Sequence, residues 1–362
     1  MKHSRLAIRN QVPLHDYTTL ELGGPAAHFL EAPQESQIHA ALAWAREREL
    51  PLTPIGGGSN IVVSDQGVPG LVLRVATRGI RREPAAGGEI WHIAAGENWD
   101  QVVAAAVAAD LAGIECLSGI PGNCGAAPIQ NIGAYGQEIA ETLVEVQALE
   151  VATGKARSLR PGDLDLAYRN SRLKREANQW IVTGVTLLLQ RGAPPALRYP
   201  GLEDAVRSCG PVSIASCREA VLGLRRSKSM VHDPADPNHR SAGSFFLNPI
   251  LPEAEVRALE QAARDQGLLR SNSAIPSFPA QPGCRKIPAA WLIEQSGFPR
   301  GLREGGIGLS SCHTLALVHH GGATTQDLLQ FAAKIRQGVS DRFGVQLEQE
   351  PILLGFAKQS PG

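Results

Sequence analysis

Two glycine clusters constrain this chain more than any other feature of its sequence. Residues 56–60 read GGGSN between short apolar runs, and residues 120–136 read IPGNCGAAPIQNIGAYG. Glycine lets backbone amides approach an anion closely, and Ser59 and Asn60 add side-chain donors. One such cluster is more often a tight turn than a phosphate site. Two of them in one half of a chain favour a pyrophosphate cradle.

The first cluster does not fit either of the common nucleotide fingerprints. Ile61 stands where a dinucleotide-binding loop has its third glycine, and no GK[ST] follows the cluster as it does in a Walker loop. The ligand is therefore not specified by this loop alone.

Apolar spacing predicts that strands and helices alternate along the chain. Ile38, Ala41, Leu42 and Ala45 form a helical stripe, and Asn98 or Asp100 can cap a later helix. The predicted helices cover residues 35–50, 99–112, 253–266 and 325–343. The predicted strands cover residues 70–75, 89–96, 143–151, 180–189, the LALV run and 345–355. A Ser/Pro/Gly-rich connection is expected at residues 271–283. The pattern predicts an α/β (α+β) protein.

Length and charge restrict the classes of partner. The 362 residues suffice for at least two domains, and 35 basic residues balance 35 acidic ones. The chain therefore has no net positive charge that would attract nucleic acid or an anionic membrane. No apolar run approaches the roughly 20 residues that span a bilayer. The start MKHSRLAIRN lacks a secretion signal, which predicts a soluble cytoplasmic protein, with a monomer as the default.

The cysteines and histidines predict no metal centre. The six cysteines include no CxxC pair, and the ten histidines include no HExxH. We expect free thiols, and histidines that lie at the surface or in the core.

Four further segments are weak when each is taken alone. Tyr168 and Arg169 in LAYRNS could be an exposed edge, and SAGSFFLNP at residues 241–249 could be a turn before a core strand. RRSKS, with Lys228, could be a solvated helix end. Glu348 and Glu350 in LEQE are predicted to share one strand face, although exposed glutamates are the common alternative.

Taken together and in this order, these segments resemble the UDP-N-acetylenolpyruvoylglucosamine reductase family of peptidoglycan synthesis. PIQNIGAYG is the most specific match, and GGGSN, AGENWD, YRNS, AGSFFLNP and LEQE accompany it. The resemblance runs from TTLELGGPA to the terminal glutamates, over nearly the whole chain. LRYPGL, with Tyr199, resembles the subgroup that closes a tyrosine-bearing loop over its substrate.

The resemblance implies a two-subdomain FAD-binding fold of the vanillyl-alcohol-oxidase type plus a C-terminal α+β substrate-binding domain. The expected FAD-binding domain covers residues 18–192, split near 75, and the UDP-sugar domain covers residues 193–345. Residues 346–362 would return to the active site. GGGSN contains no histidine, so noncovalent FAD is expected. The implied FAD-binding residues are Gly56, Gly57, Gly58, Ser59, Asn60, Pro121, Gly122, Gly125, Ala126, Gln130, Ile132, Gly133 and Arg225.

The implied reaction is reduction of an enolpyruvyl UDP-sugar with NADPH as the reductant. The resemblance makes Ser244 the general acid, Arg169 the partner of the substrate carboxylate, and Glu350 a stabiliser of the enol-like intermediate. The implied substrate-binding residues are Tyr168, Tyr199, Lys228, Asn248 and Lys286.

Two positions depart from the family pattern. Leu247 stands where the family commonly has a basic residue, and Asn170 stands where it often has an acidic one. The first departure puts one polar substrate contact in doubt.

Two other functions fit the fold: a FAD-linked oxidase of a sugar or alcohol, and a flavin- or nucleotide-binding sensor without turnover. Neither requires the set of Ser244, Arg169 and Glu350.

Overall fold

The computed structural model describes residues 6–270 and 273–357. They form two compact units, one of residues 6–17, 24–58 and 66–232, and one of residues 18–23, 59–65 and the described residues from 233 onward. The connection expected at 271–283 begins with two residues, 271 and 272, that lie outside the described part. Residues 358–362 of the expected C-terminal tail lie outside it as well.

The strands and helices of the described residues are numbered here in chain order. The strands are β1 (Arg9–Pro13), β2 (Pro25–Ala32), β3 (Leu52–Ile55), β4 (Ile61–Val63), β5 (Val68–Val75), β6 (Ile80–Ala85), β7 (Gly88–Ala94), β8 (Leu111–Ala112), β9 (Gly133–Ala134), β10 (Gln137–Glu138), β11 (Leu143–Glu150), β12 (Ala156–Leu159), β13 (Trp180–Arg191), β14 (Ser241–Ser244), β15 (Ile250–Pro252), β16 (Phe278–Pro279), β17 (Cys284–Lys286), β18 (Arg303–Glu304), β19 (Ile307–Leu309), β20 (Ala316–His319) and β21 (Ile352–Leu354). The helices are α1 (Glu35–Arg46), α2 (Trp99–Ala108), α3 (Ala127–Gln130), α4 (Pro161–Leu164), α5 (Arg172–Arg175), α6 (Leu202–Ser208), α7 (Ile214–Arg226), α8 (Glu253–Asp265), α9 (Ala289–Gln295) and α10 (Thr325–Phe343). Short 3-10 helices cover Leu14–Tyr17, Glu115–Leu117, Cys124–Ala126 and Ile139–Glu141.

The first unit contains a four-stranded sheet in the order β1-β2-β5-β3. β2, β5 and β3 are parallel, while β1 is antiparallel to β2. α1 follows β2 along the chain and buries the predicted stripe of Ile38, Ala41, Leu42 and Ala45. This helix is confirmed, although it ends at Arg46 rather than at 50. The chain turns into the left-handed region at Glu49, with φ 54°, before Pro51.

The second sheet of this unit is antiparallel and follows the order β12-β11-β13-β7-β6, with β8 also on β13. α2 belongs to the same hydrophobic core, and the largest side chains there, Trp91 and Trp99, are fully buried. The prediction that α2 extends to residue 112 is wrong. Asp110 adopts φ 55°, which ends the helical path, and Leu111–Ala112 then pairs with β13.

The second unit is built on three sets of strands. β14-β20-β19-β18 form an antiparallel sheet, β15-β17-β16 form another, and β4 pairs in parallel with β21. Its core combines Phe245 and Phe246 with the apolar stripe of α10. α10 has the predicted bounds, because Thr324 caps its start and Gly344, with φ 68°, ends it. The mixed content of helices and strands confirms the predicted α/β (α+β) class.

Residues 193–232 are assigned differently by the sequence and by the contacts. The sequence places a boundary after residue 192, whereas α6 and α7 are grouped with the first unit. The functional division of the chain at residue 192, with a subdomain split near 75, stays a prediction.

Neither a membrane span nor a metal cluster is found in the described residues. None of the helices in residues 6–270 and 273–357 is long and apolar enough to cross a membrane. Within the same ranges, no three His, Cys, Asp or Glu side chains are placed to hold a metal ion together.

Candidate active site

The two glycine clusters touch each other inside the first unit. A Cβ added at Gly57 would lie 2.9 Å from the Cα of Gly122 and 3.0 Å from the Oδ1 of Asn123. Any side chain at Gly57 would therefore push the second loop away. Gly56 lies beside the same asparagine, and Gly58 has φ 69°. The two glycine loops therefore lie in direct backbone contact, and their role in binding a phosphate stays a prediction.

Backbone hydrogen bonds hold the second glycine loop against the segment AGENWD, residues 95–100, which leads into α2. Gly125 N–H donates to Ala95 O at 2.8 Å, Cys124 N–H donates to Glu97 O at 2.8 Å, and Trp99 N–H donates to Gly122 O at 3.0 Å. The loop then continues into the single turn α3. Further residues of the predicted FAD set lie in the same stretch: Pro121, Ala126, Gln130, Ile132 and Gly133.

A buried cation lies beside the start of this loop. Arg225, on α7, donates from NH2 to Met230 O at 2.6 Å, and its Nε lies 3.3 Å from the position of a Cβ on Gly119. That Nε is buried and has no hydrogen-bond partner among the described residues. Burial lowers the pKa of Arg225, and burial together with Arg225 lowers the pKa of Lys228. Buried donors and cations of this kind fit an anionic ligand.

Asn60, the last residue of the first cluster, is a buried donor of the second unit. Asn60 Nδ2 has no hydrogen-bond partner among the described residues, and the Asn60 carbonyl accepts from Ile352 N–H at 3.0 Å. Leaving such a donor unpaired costs about 1–3 kcal/mol. A polar cofactor group would remove that cost. In the first unit, the close approach of the two glycine loops and the buried Arg225 fit the phosphates of FAD.

Arg169 is held by the second glycine loop. Its guanidinium donates to Asn131 O at 3.2 Å and to Gly133 O, and it lies 5.3 Å from the centre of the Tyr168 ring. Arg169 and Asn131 have φ of 50° and 42°, which are left-handed conformations. Such strain persists only where the surroundings fix it, and it concentrates at functional sites.

Two side chains that follow Arg169 in the chain also fasten this segment to the second glycine loop and α3. Lys174 Nζ donates to Gln130 Oε1 at 3.0 Å and to Arg169 O at 3.1 Å. Ser171 is fully buried, and its Oγ donates to Ile129 O at 2.8 Å. The YRNS segment and α3 are therefore tied together by side chains.

Tyr199 lies against the same loop. Its ring packs edge-on against Tyr135, with the ring centres 5.2 Å apart and the planes at 78°. Burial raises the pKa of Tyr199. Burial also raises the pKa of Tyr135, although Arg225 acts in the opposite direction. Both hydroxyls therefore stay protonated at neutral pH and can donate hydrogen bonds.

In the second unit, Ser244 and Glu350 are brought together by backbone pairing. Ser244 ends β14 opposite Ala316 of β20. Glu350 N–H donates to Phe245 O at 3.0 Å. A hydroxyl and a carboxylate that are distant in the chain thus lie on adjacent segments.

The predicted strand through LEQE is wrong in extent. The strand β21 begins only at Ile352, and LEQE contributes one isolated bridge, between Gln349 and Phe246. Glu348 is exposed and Glu350 is half-buried. Glu348 and Glu350 flank the bridged Gln349, and the face that they share stays a prediction.

Asn248 and Lys286 occupy neighbouring structural positions. Asn248 Oδ1 accepts the N–H of Ala289 at 2.8 Å, at the start of α9. Lys286 ends β17, where it pairs with Ile250. Asn248 therefore stabilises a helix terminus. Substrate contacts for both residues stay predictions.

Sequence reasoning missed two acidic residues of the first unit. Asp100 was considered a helix cap, but Asn98 caps α2 by accepting from Gln101 N–H at 3.0 Å. Asp100 instead binds Arg218 on α7 through both oxygens, at 2.6 and 2.9 Å. Glu115 is only 1 % exposed. Glu115 stands between Ile114 and Cys116 in an otherwise apolar run, and this pattern could have predicted a buried carboxylate.

Two family models match this chain. Residues 26–160 match a FAD binding domain, and residues 234–354 match the C-terminal domain of UDP-N-acetylenolpyruvoylglucosamine reductase. The first match confirms the predicted FAD-binding fold and cofactor. The second matches the region that contains Ser244 and Glu350.

Curated relatives and a solved structure agree with these matches. UDP-N-acetylenolpyruvoylglucosamine reductase of Streptomyces coelicolor is 44 % identical over 96 % of this chain and 90 % of the relative. That of Saccharopolyspora erythraea is 46 % identical over 94 % of each chain. The crystal structure of UDP-N-acetylenolpyruvylglucosamine reductase from Thermus caldophilus is 26 % identical, with a TM-score of 0.64 over 97 % of this chain and 99 % of that one. The chain therefore belongs to the UDP-N-acetylenolpyruvoylglucosamine reductase family.

Proposed function

We propose that this chain reduces UDP-N-acetylglucosamine enolpyruvate to UDP-N-acetylmuramate with NADPH, in the synthesis of peptidoglycan precursors. Membership of the family over nearly the full length supports this activity. The observation that carries the proposal is the hydrogen bond of 3.0 Å from Glu350 N–H to Phe245 O, which fixes a carboxylate beside the segment of Ser244. A proton donor with an acidic neighbour is what the second half of this reaction requires.

The glycine clusters and Arg225 would hold FAD, which would supply hydride transfer from NADPH to the terminal carbon of the enolpyruvyl group. Negative charge then builds on the adjacent carbon and its carboxylate. Ser244 Oγ donates the proton to that carbon, because a hydroxyl can protonate a strongly basic carbanion or enolate without an unusual pKa. Glu350 stabilises the enol-like species or holds its proton.

Arg169 pairs with the substrate carboxylate in this proposal. A guanidinium presents donors in a planar fork, so it can keep bonds to Asn131 O and Gly133 O and still offer N–H groups to a carboxylate. Its charge offsets the charge that develops during hydride addition.

The remaining residues bind the two ligands. Gly57, Gly122, Gly125 and Arg225 hold the phosphates of FAD, together with the other members of the glycine clusters. Lys228 and Tyr199 bind the UDP-sugar, and Tyr168, Asn248 and Lys286 are further substrate contacts in this proposal. The half-buried Lys228, whose pKa is lowered by burial and by Arg225, is suited to an anionic group such as a phosphate.

We also place this reaction in the cytoplasm and propose a monomer. Both UDP-sugars and NADPH are soluble cytoplasmic metabolites, so the enzyme has its ligands there. Size-exclusion chromatography with light scattering measures the mass directly, and a dimer would contradict the monomer.

The test of the proposed function is optical. Purified protein should be yellow, lose its colour with NADPH in the absence of air, and regain it when UDP-N-acetylglucosamine enolpyruvate is added. Recovery with oxygen alone, after bleaching by a sugar or an alcohol, would instead identify an oxidase. Bleaching by neither reductant would identify a binding protein without turnover. Either outcome would overturn the proposed function.

A further inference from the structure

Glu115 is a buried carboxylate to which the proposed reaction assigns no role. It is 1 % exposed and lies in the 3-10 helix just before the second glycine loop. Its Oε2 accepts the N–H of Gly113 at 2.7 Å. Its Oε1 accepts from Gln137 Nε2 at 3.2 Å and from Ala196 N–H at 2.9 Å. Burying a carboxylate is costly unless donors satisfy it, and here three donors do so.

The first of the two distant partners, Gln137, lies directly after the second glycine loop. Gln137 directly follows the GAYG turn and is 3 % exposed. Its amide is oriented at both ends, because Oε1 accepts Cys116 N–H at 2.9 Å while Nε2 donates to Glu115. The fixed amide holds the end of the turn that carries Tyr135, whose φ of 49° needs such support.

The second distant partner starts the segment that carries Tyr199. Residues 193–198, which include Ala196, adopt neither helix nor strand. Arg198 adds a bond to Gly136 O at 3.3 Å and an ion pair with Glu141 at 2.5 Å. Those two groups are exposed, so their contribution is small. The bond of 2.9 Å from Ala196 N–H to the buried carboxylate of Glu115 is therefore a stronger anchor of the segment than the exposed bonds of Arg198.

The carboxylate of Glu115 thus bonds Gln137, which lies next to the turn of Tyr135, and Ala196, which lies in the segment of Tyr199. We propose that Glu115 is a positioning residue, which holds the Tyr199 segment against the second glycine loop and thereby sets the affinity for the UDP-sugar. This inference rests on the proposed function. Glu115 acts through Tyr199, so reduction by NADPH should not depend on it.

The main test compares Glu115→Gln with wild type in steady-state and anaerobic assays. The glutamine amide turns one acceptor into a donor and cannot satisfy all three N–H groups. Loss of one bond to a charged group predicts a KM for the UDP-sugar raised about tenfold, with kcat and NADPH bleaching changed less than about twofold. That tenfold change corresponds to about 1.4 kcal/mol. An unchanged KM would overturn the proposal. The control is Glu47→Gln, at an exposed glutamate after α1.

A double-mutant cycle separates positioning from general destabilisation. In a Tyr199→Ala background, Glu115→Gln should raise KM by less than about twofold, because the group it positions is already gone. Equal increases in both backgrounds would show that Glu115 does not act through Tyr199, which overturns the proposal.

Two further measurements keep the proposal testable if Glu115→Gln folds poorly or if the proposed substrate is wrong. Ala196→Pro removes the donor N–H without changing Glu115, Gly113 or Gln137, although its ring also fixes φ at residue 196, and it should raise KM at least to a similar extent. Hydrogen exchange of a peptide covering residues 196–202 does not depend on activity. Exchange there should be faster in Glu115→Gln than in Glu47→Gln, and equal rates would refute the anchor. A wild type that never turns over the UDP-sugar would contradict only the proposed function.

Discussion

The two units hold their candidate residues by different means. In the first unit, side chains position other side chains and loops: Lys174 bridges Gln130 and Arg169, and Glu115 bridges Gln137 and Ala196. In the second unit, backbone hydrogen bonds of the segments around Ser244 and Glu350 provide the position. A substitution in the first unit should therefore disturb neighbours, whereas one at Ser244 should remove a single functional group.

The largest expected effect is that of Ser244→Ala. The substrate-driven recovery of colour should slow by about 10²–10⁴ fold, or about 3–5.5 kcal/mol, because the positioned proton donor is lost. Bleaching by NADPH and the unfolding temperature should stay close to wild type. Stopped-flow absorbance measures both half-reactions. Ser241→Ala, on the same strand, is the control. Equal slowing of both half-reactions would remove Ser244 from its proposed role.

Arg169→Lys should have the next largest effect. Lysine keeps the charge but cannot hold Asn131 O and Gly133 O with a fork, so the recovery step should slow by about 10–100 fold. Unlike Ser244→Ala, this change should also weaken retention of FAD, because the loop carbonyls lose their donors. Gel filtration followed by absorbance measures the retained flavin. Arg172→Lys, three residues along, is the control, and near-normal recovery in Arg169→Lys would contradict the carboxylate role.

Gly57→Ala tests the contact between the glycine clusters. The new Cβ would lie 2.9 Å from the Cα of Gly122, so one loop must shift, and we expect destabilisation by about 1–3 kcal/mol with loss of FAD. Denaturant unfolding measures the stability. Gly162→Ala is the matched control, because nothing in the described residues lies within 4 Å of an added Cβ there. Equal stability of both variants would show that the loops can separate freely.

The smallest effect is expected at Asp100. Burial alone would raise the pKa of Asp100, but Arg218 and the N–H of Gly119 outweigh it, and the pKa lies below its usual value. The stabilisation is therefore present above the unfolded-state pKa and is lost as the pH falls through the lower folded-state value. Asp100→Asn should cost on the order of 1 kcal/mol at neutral pH, because the pair is partly exposed.

The measurement is the free energy of unfolding as a function of pH. The difference between wild type and Asp100→Asn should shrink as the solution is acidified. Glu203→Gln, which breaks the exposed pair with Arg207, should change stability by no more than about 0.5 kcal/mol. A pH-independent difference for Asp100→Asn would contradict the assigned electrostatic role.

The sequence predicts best where local signals act alone. α10 has its predicted bounds because a capping threonine and a terminal glycine mark both ends of a regular apolar stripe. α1 and α8 begin where predicted for similar local reasons. The glycine clusters were identified from composition alone, and the contact of Gly57 with Gly122 came only from the structure.

The sequence fails where partners are distant. Nothing near Glu115 specifies bonds to residues 137 and 196, and nothing near Asp100 specifies Arg218. LEQE alternates like a strand, yet it contributes a single bridge, between Gln349 and the distant Phe246. The roles of Arg169, Ser244 and Glu350 came from family resemblance rather than from pattern, since each motif is ordinary when taken alone.

The pairing of β4 with β21 has a consequence for synthesis on the ribosome. Ile61–Val63 emerges long before its partner Ile352–Leu354, which lies almost 300 residues later in the chain. Leu20, Leu22 and Val62 likewise wait for the core that Phe245 and α10 complete. These apolar residues must therefore stay unpacked until their distant partners have been synthesised, which exposes the nascent chain to aggregation. A fragment beginning at residue 233 would lack these early segments, so cutting the gene there should not yield an autonomous domain.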